Sequence, residues 1–102
     1  MSNKIYTIGE LKRKIGKILA EFPVEKAILF GSYAKGDATR RSDIDLVIDS
    51  NNQLIGLDFY EVKGTLEEKL KKEIDLIEIS DIIKGQKADK EISRTGVVIY
   101  VK

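Results

Sequence analysis

The sequence predicts an α/β (α+β) protein in which a small mixed β-sheet is flanked by helices. Three observations lead to this prediction: helical and strand-like segments alternate along the chain, the strand-like segments are short, and glycine-containing or polar turns separate them. With 102 residues, of which 42% are hydrophobic and 34% charged, the composition is that of a folded globular chain. We therefore expect one domain that spans residues 1–102.

The first predicted element is an amphipathic helix. Thr7 and Glu10 have the spacing of a capping box, with Thr7 as the N-cap. Pro23 is expected to end the helix. An apolar stripe at helical spacing is expected to face the core, and its members are Ile8, Leu11, Ile15, Ile18, Leu19 and Phe22.

The next segments predict a strand, a turn with a short helix, a polar loop and a second strand. Their bounds are Lys26–Phe30, Gly31–Gly36, Thr39–Ser42 and Asp43–Asp49. The last segment alternates between apolar and mainly acidic positions, which predicts a strand with one buried face. The buried face would carry Ile44, Leu46 and Ile48, and the other face Asp43, Asp45, Val47 and Asp49.

The second half of the chain predicts two further helical segments and two further strands. In chain order these are a turn-rich segment, a helix, a third strand, a mostly helical segment broken near Gly85, and a final extended segment. Their bounds are Ser50–Gly56, Leu57–Leu70, Ile74–Ile79, Asp81–Arg94 and Val97–Val101. Gly96 has the position of a helix C-cap.

The amino-acid composition excludes several kinds of chemistry. The chain has neither cysteine nor histidine, so disulfides, thiolate catalysis and the commonest general base and transition-metal ligand are all missing. Catalysis would have to use carboxylates, hydroxyls, lysine or arginine. Carboxylates favour hard cations such as Mg²⁺.

Charge and hydropathy limit the partners and the location. No apolar run approaches the roughly 20 residues of a membrane span, and the N-terminus lacks the apolar core of a signal peptide. We therefore expect a cytoplasmic protein without a membrane contact. The net charge of +1 gives no strong signal of nucleic-acid binding. We interpret the cluster of Lys69, Lys71 and Lys72 as a solvated helix end.

Two motifs near the middle of the chain are candidates for binding a phosphate and a metal. Gly31 and Ser32 follow a strand and begin a short helix, where backbone N–H groups and a hydroxyl can donate to a phosphate. Asp43 and Asp45 point to the same side of a strand, about 6.6 Å apart, and could converge on a divalent cation. Each motif alone is also typical of an ordinary turn or of an acidic, solvent-facing edge.

A third candidate is Asp75, which lies among isoleucine and leucine in the next predicted strand. Burying a carboxylate there without a partner is unfavourable, so either a metal shared with the earlier aspartates or an exposed sheet edge would explain it. We interpret Asp49 and Glu78 as exposed carboxylates without a functional role.

The combination of these motifs resembles the nucleotidyltransferase superfamily of DNA polymerase beta. Gly31-Ser32, ten intervening residues, Asp43-x-Asp45 and a third aspartate in a later strand follow that pattern. The block GSYAKGDATRRSDIDLVID, residues 31–49, closely resembles the minimal nucleotidyltransferases (MNT), small proteins that are often antitoxins encoded beside a HEPN-domain toxin. The resemblance covers nearly the whole chain and implies the minimal polymerase beta-like fold.

The resemblance also implies roles for individual residues. Asp43, Asp45 and Asp75 would be the catalytic residues and would ligate two Mg²⁺ ions. The nucleotide would be bound by Gly31, Ser32 and Lys35. The family usually has arginine in place of Lys35, and lysine keeps the charge without the bidentate fork. Arg40 and Arg41 could neutralise developing charge or could simply be loop cations.

The function that the resemblance implies is Mg²⁺-dependent nucleotidyl transfer. Its specific form is an antitoxin that transfers AMP from ATP to a tyrosine hydroxyl of its cognate HEPN ribonuclease toxin and releases pyrophosphate. Two alternatives stay open: an antitoxin that acts by binding alone, and a transferase whose acceptor is a small molecule or an RNA end.

Overall fold

The fold is a four-stranded mixed sheet with helices on both faces, seen in a computed structural model that describes residues 3–102. The strand order is β3-β2-β1-β4; β1 is antiparallel to both of its neighbours, whereas β2 and β3 are parallel. The predicted class is confirmed. The elements are α1 (Ile8–Leu19), β1 (Lys26–Phe30), α2 (Gly31–Lys35), β2 (Ile44–Asp49), α3 (Leu57–Leu70), β3 (Ile74–Glu78), a 3₁₀ turn (Ile79–Asp81), α4 (Lys87–Thr95) and β4 (Val97–Val101).

The register of the sheet brings one end of three strands together. Asp45 of β2 lies opposite Phe30, the last residue of β1, in the antiparallel pair. In the parallel pair it lies opposite Asp75, the second residue of β3. The carboxyl end of β1 and the amino ends of β2 and β3 therefore share one edge of the fold, and this edge positions the candidate site.

One face of the sheet is covered by α1 and α3, and the main core lies between them. The predicted capping box begins α1: the Thr7 hydroxyl accepts from the N–H of Glu10, and the Glu10 carboxylate accepts from the N–H of Thr7. These helices, like the others within residues 3–102, lack the length and apolar character that a membrane span requires. The buried helical residues are Leu11, Ile15, Ile18, Leu19, Val62, Leu66 and Leu70.

Helix α1 ends earlier than predicted. The sequence placed its end at Pro23, but the last helical residue is Leu19 and a turn follows. In this turn the N–H groups of Glu21 and Phe22 donate to carbonyls three residues back, which tightens the chain before proline is reached.

The second face of the sheet is more covered than the alternation in β2 predicted. Val47 was assigned to an open face, yet only 1% of it is exposed. Ile79 from the 3₁₀ turn, Ile82 directly after it and Ile92 from α4 line the same recess as Val47. The strand therefore buries apolar residues on both sides, and Asp45 and Asp49 remain partly exposed.

The segment after β3 is less helical than predicted. The strand ends at Glu78, and only the 3₁₀ turn and α4 are helical within the predicted range Asp81–Arg94. Gly85 has a left-handed φ of 85° and its N–H donates to the Asp89 carboxylate, which places the break before α4. Gly96 is the C-cap of α4, as predicted. Glycine fits here because a Cβ would lie 2.5 Å from the Ile92 carbonyl oxygen.

The prediction that Glu78 is exposed is wrong. Its side chain lies on the core side of β3 with only 6% of the residue exposed. Both carboxylate oxygens accept hydrogen bonds from Ser50, one from the backbone N–H at 3.1 Å and one from the hydroxyl. The Ser50 hydroxyl also accepts from the N–H of Leu54. This network joins the ends of β2 and β3 to the turn before α3.

Replacing Ser50 with alanine is expected to destabilise the protein by about 1–3 kcal/mol, because the buried Glu78 carboxylate loses a donor and the Leu54 N–H loses its acceptor. Urea unfolding of both proteins measures this difference. The matched control is Ser80→Ala, which removes an exposed hydroxyl that donates to Asn52 and should change the free energy of unfolding by less than about 0.5 kcal/mol. Equal effects of the two substitutions would contradict the role of the buried network.

Candidate active site

Gly31 is in direct contact with the carboxylate of Asp45. It is buried, begins the five-residue helix α2 and has a left-handed φ of 72°. A Cβ on Gly31 would lie 2.1 Å from Asp45 Oδ2 and 3.0 Å from its Cγ. Glycine is thus needed here both for its backbone conformation and because a side chain would occupy the place of the carboxylate.

Around this contact lies a cleft of about 350 Å³. It is lined by the end of β1, helix α2, the start of β2, the outer face of β3 and one side of α4. Five of the six predicted site residues face it. The lining residues are Phe30, Gly31, Ser32, Lys35, Asp45, Asp75, Ile77, Lys87, Ala88 and Glu91.

The charge state of Asp45 reflects its surroundings. The pKa of its carboxyl is raised from 3.8 to about 6, first by burial and then by the negative charges of Asp75, Asp43 and Glu91 and a hydrogen bond with Asp75. The carboxylates of Asp45 and Asp75 are therefore close enough to share a proton. An active-site cleft is where a carboxyl with such a displaced pKa is most often found.

Asp43, the sixth predicted residue, lies beside the cleft and not in it. It immediately precedes β2, is exposed, and lines a neighbouring recess of about 270 Å³ together with Arg41 and Lys72. Its charge still reaches Asp45. Within residues 3–102, no three carboxylates are grouped closely enough to hold one metal ion as they stand.

Two charged residues of the cleft were not predicted from the sequence. Lys87 and Glu91 lie four residues apart on α4 and, with Ala88, form one wall of the cleft. The spacing places them on one side of a helix. No local signal says which side of α4 packs against the sheet, because none of its residues is fully buried.

Comparison with known proteins identifies the family. Residues 13–102 match the family described as "Polymerase beta, Nucleotidyltransferase". The chain belongs to this nucleotidyltransferase family. The match includes every residue of the cleft, and the predicted family membership is confirmed.

Named relatives of this nucleotidyltransferase occur in Methanocaldococcus jannaschii. "Putative protein adenylyltransferase MJ0435" is 40% identical over 75 residues, which span 74% of this chain and 81% of the relative. "Putative protein adenylyltransferase MJ0128" is 36% identical over 99 residues, or 93% of this chain and 98% of the relative. The second alignment extends over nearly the full length of both chains.

Solved structures confirm the predicted minimal nucleotidyltransferase fold. A crystal structure of a toxin–antitoxin with AMP-PNP matches with a TM-score of 0.76 at 24% identity, over 89% of this chain and 73% of that chain. A tri-AMPylated Shewanella oneidensis HEPN toxin in complex with MNT antitoxin gives 0.71 at 19% identity, over 94% and 74%. At these sequence identities the similarity shows the fold alone.

The loop that precedes Asp43 in this nucleotidyltransferase is held by a hydrogen bond from a buried lysine. The Thr39 N–H donates to the Ser42 hydroxyl at 2.8 Å, which closes the loop on itself. Lys72 Nζ donates to the Arg40 carbonyl oxygen, also at 2.8 Å, with 3% of Lys72 exposed. The interpretation of Lys72 as part of a solvated helix end is wrong, because this residue turns inward and fixes the loop.

Replacing Lys72 with methionine is expected to reduce nucleotidyl transfer about tenfold, because the loop before Asp43 loses its anchor and small displacements in a catalytic site are costly. The free energy of unfolding should change little, since removing a buried charge offsets the lost hydrogen bond. Initial transfer rates and urea unfolding measure the two effects. A variant with the parent's transfer rate would contradict the positioning role of Lys72, and Lys71→Met, an exposed neighbour, is the control.

Proposed function

We propose that this nucleotidyltransferase transfers AMP from ATP to a tyrosine hydroxyl of a cognate HEPN ribonuclease toxin and thereby acts as its Mg²⁺-dependent antitoxin. The observation that carries the proposal is the pair of carboxylates Asp45 and Asp75, in register on parallel strands and packed against Gly31. The names of the relatives support AMP as the transferred group, and the toxin–antitoxin structures that share the fold support the partner.

The residues around Gly31 suit the triphosphate of the nucleotide. Gly31 presents backbone without a side chain, Ser32 adds a hydroxyl, and Lys35 adds a positive charge from the same short helix. Lys87 adds a second positive charge from the opposite wall. In this proposal the two lysines compensate the negative charge that develops on the departing pyrophosphate.

The acidic side of the cleft suits divalent cations. Asp43, Asp45 and Asp75 would hold the two Mg²⁺ ions, and their donor atoms are all oxygens, which this ion prefers. The raised pKa of Asp45 fits this assignment, since it reflects burial and, after that, neighbouring negative charges that the surrounding protein leaves uncompensated. When bound, the cations would supply charge neutralisation and would lower the pKa of the acceptor hydroxyl.

The acceptor oxygen of the tyrosine would attack the α-phosphorus of ATP. A new oxygen–phosphorus bond forms, the bond from the α-phosphorus to the bridging oxygen breaks, and pyrophosphate leaves. Asp75 is exposed at the cleft and would take the proton of the hydroxyl. Since the reaction consumes ATP, the protein would act in the cytoplasm.

The experiment that tests this proposal is transfer of label from α-labelled ATP to a purified HEPN toxin in the presence of Mg²⁺. The parent protein should label the toxin on tyrosine, and Asp43→Asn should abolish the labelling while the fold is retained. Labelling by the Asp43→Asn variant at the parent's rate would overturn the assignment of that residue. Label on RNA or a small molecule alone would overturn the protein acceptor.

A binding-only antitoxin gives a different result in the same system. A variant with asparagine at Asp43, Asp45 and Asp75 should fail to protect an RNA substrate from the toxin, because the toxin stays unmodified. Full protection by this triple variant, at equal protein concentration, would show that contact alone is sufficient and would contradict the proposed function.

A further inference from the structure

A second large recess lies between α1 and α3, on the face of the sheet opposite the helix α4. Its volume is about 710 Å³, against about 350 Å³ for the active-site cleft. The two recesses have no lining residue in common. The lining residues are Lys14, Lys17, Ile18, Glu21, Phe22, Thr65, Glu68, Lys69, Leu70 and Lys71, and we call this recess the α1–α3 groove.

The rims of the groove are positively charged. Lys14 and Lys17 project from α1, Lys69 and Lys71 from the end of α3, and all four are exposed. Within residues 3–102, none of the four forms an ion pair, since the ion pairs present join Lys4 to Glu10 and Lys63 to Glu67. Four lysines against two glutamates leave a net charge of +2 along the groove.

The floor of the groove is apolar. Ile18 and Leu70 are buried at its base and Phe22 is partly buried beside them. A groove between two helices, with an apolar floor, has the form that receives an apolar side chain from an inserted helix or peptide.

One of the lysines occupies a position where its conformation is unfavourable. Lys71 is the C-cap residue of α3 and has a left-handed φ of 57°. Glycine or asparagine is the usual residue in this conformation, and another side chain costs about 1–2 kcal/mol. The chain therefore places a positive charge at the rim of the groove at some expense in stability.

We propose that the α1–α3 groove binds an acidic amphipathic segment of a partner protein, with apolar side chains on the floor and carboxylates against the lysines. The groove shares no residue with the cleft, so this proposal does not rest on the proposed function. Glu21 and Glu68 and the apolar floor disfavour a nucleic-acid backbone, which needs a continuous cationic track. A second copy of the chain in the same contact would bring lysine rims against each other.

The test is fluorescence anisotropy with a fluorescein-labelled synthetic peptide of about 15 residues, or four helical turns, with leucine on one face and glutamate elsewhere. The full-length protein should bind this peptide saturably, and added salt should weaken binding. The double variant Lys17→Glu, Lys69→Glu should bind at least about tenfold more weakly. The control Lys12→Glu, Lys102→Glu has the same net charge, alters exposed lysines outside the groove, and should stay within about twofold of the parent.

Three further probes separate the sources of binding. A peptide with serine for leucine, or with lysine for glutamate, should bind at least about tenfold more weakly than the original. Equal weakening by the groove and control variants would overturn the proposal, as would the absence of saturable binding. If a single-stranded RNA oligonucleotide binds more tightly than the peptide, and the groove variant loses this binding, the groove would be assigned to nucleic acid instead. Self-association that the groove variant abolishes would assign it to a second copy.

Discussion

The Asp45→Asn variant is expected to lose nucleotidyl transfer at least about 1,000-fold and, in the absence of divalent cations, to unfold at a higher temperature than the parent. Activity falls because, in the proposed site, the substitution removes a charged ligand of the divalent cations at nearly constant volume. Stability rises because Asp45 is partly buried beside Asp75, Asp43 and Glu91, which all repel its charge. A residue kept at a cost in stability is expected in a functional site.

The gain in stability should depend on pH in a defined direction. The pKa of Asp45 is about 6 in the folded protein against an ordinary value of 3.8, so the folded state binds its proton more tightly than the unfolded state. Its contribution is fully present below pH 3.8 and is lost as the pH rises through about 6. The difference in the free energy of unfolding between Asp45→Asn and the parent should therefore increase across this pH window. It should reach about 1–2 kcal/mol after allowance for solvent screening.

Thermal unfolding from pH 4 to 8, with chelator and then with Mg²⁺, measures both parts of this prediction. Mg²⁺ should raise the melting temperature of the parent and leave Asp45→Asn almost unchanged. The matched control is Asp49→Asn, on the same face of β2 but outside the cleft, whose carboxylate accepts from the nearby Asn51 N–H. If both variants respond alike to pH and Mg²⁺, the site assignment of Asp45 is wrong.

The Gly31→Ala variant is expected to separate activity from stability. The new methyl group would overlap Asp45 Oδ2, the flexible end of a side chain, so the fold can relieve the overlap by turning the carboxylate away. Displacing a catalytic group by about 1 Å can cost about 100-fold in rate, and we expect at least that loss of transfer. The left-handed backbone adds about 1–2 kcal/mol of destabilisation.

Gly36→Ala provides the matched control. Gly36 has an even larger left-handed φ of 82°, yet a Cβ there would meet no atom within 4 Å. The two variants should therefore lose similar amounts of stability in urea unfolding, whereas only Gly31→Ala should lose transfer in the labelling assay. Normal transfer by Gly31→Ala would show that the Asp45 carboxylate need not occupy its present place.

The parts of the fold that local signals determine were predicted well. The bounds of β1 and α3 and the capping box at Thr7 follow from apolar runs, helical spacing and hydrogen-bonding residues close in sequence. Of the cleft residues, Gly31, Ser32, Lys35 and Asp45 lie in the block 31–49 that resembles a known family, and Asp75 was found from its place among isoleucine and leucine in the next strand. The pairing of Asp45 with Asp75 depends on strand register across thirty residues, which no local pattern encodes.

The errors at Glu78 and Lys72 and the omission of two α4 residues share a physical cause. Glu78 and Lys72 were assigned to solvent because buried charges are rare, but each has a polar partner contributed by a distant segment: Ser50 in one case and the Arg40 carbonyl in the other. Lys87 and Glu91 were missed because the packing of a weakly buried helix decides which of its sides lines the cleft. Such partners become visible only when the tertiary structure is known.

The in-register pairing of β2 with β3 makes the chemistry depend on the number of residues in the connection that follows α3. Side chains of a strand alternate between its faces, so a shift of β3 by one residue would turn Asp75 into the apolar core and leave Ile74 or Leu76 facing Asp45. A shift by two residues would return the Asp75 side chain to the face of the sheet that carries Asp45, but would move its carboxylate along the strand by roughly 7 Å. Insertions or deletions between Leu70 and Ile74 that shift this register would therefore separate the proposed catalytic pair, whereas changes in the turn Ser50–Gly56, at the opposite end of the sheet, would act on the buried Glu78 network and not on Asp45 and Asp75.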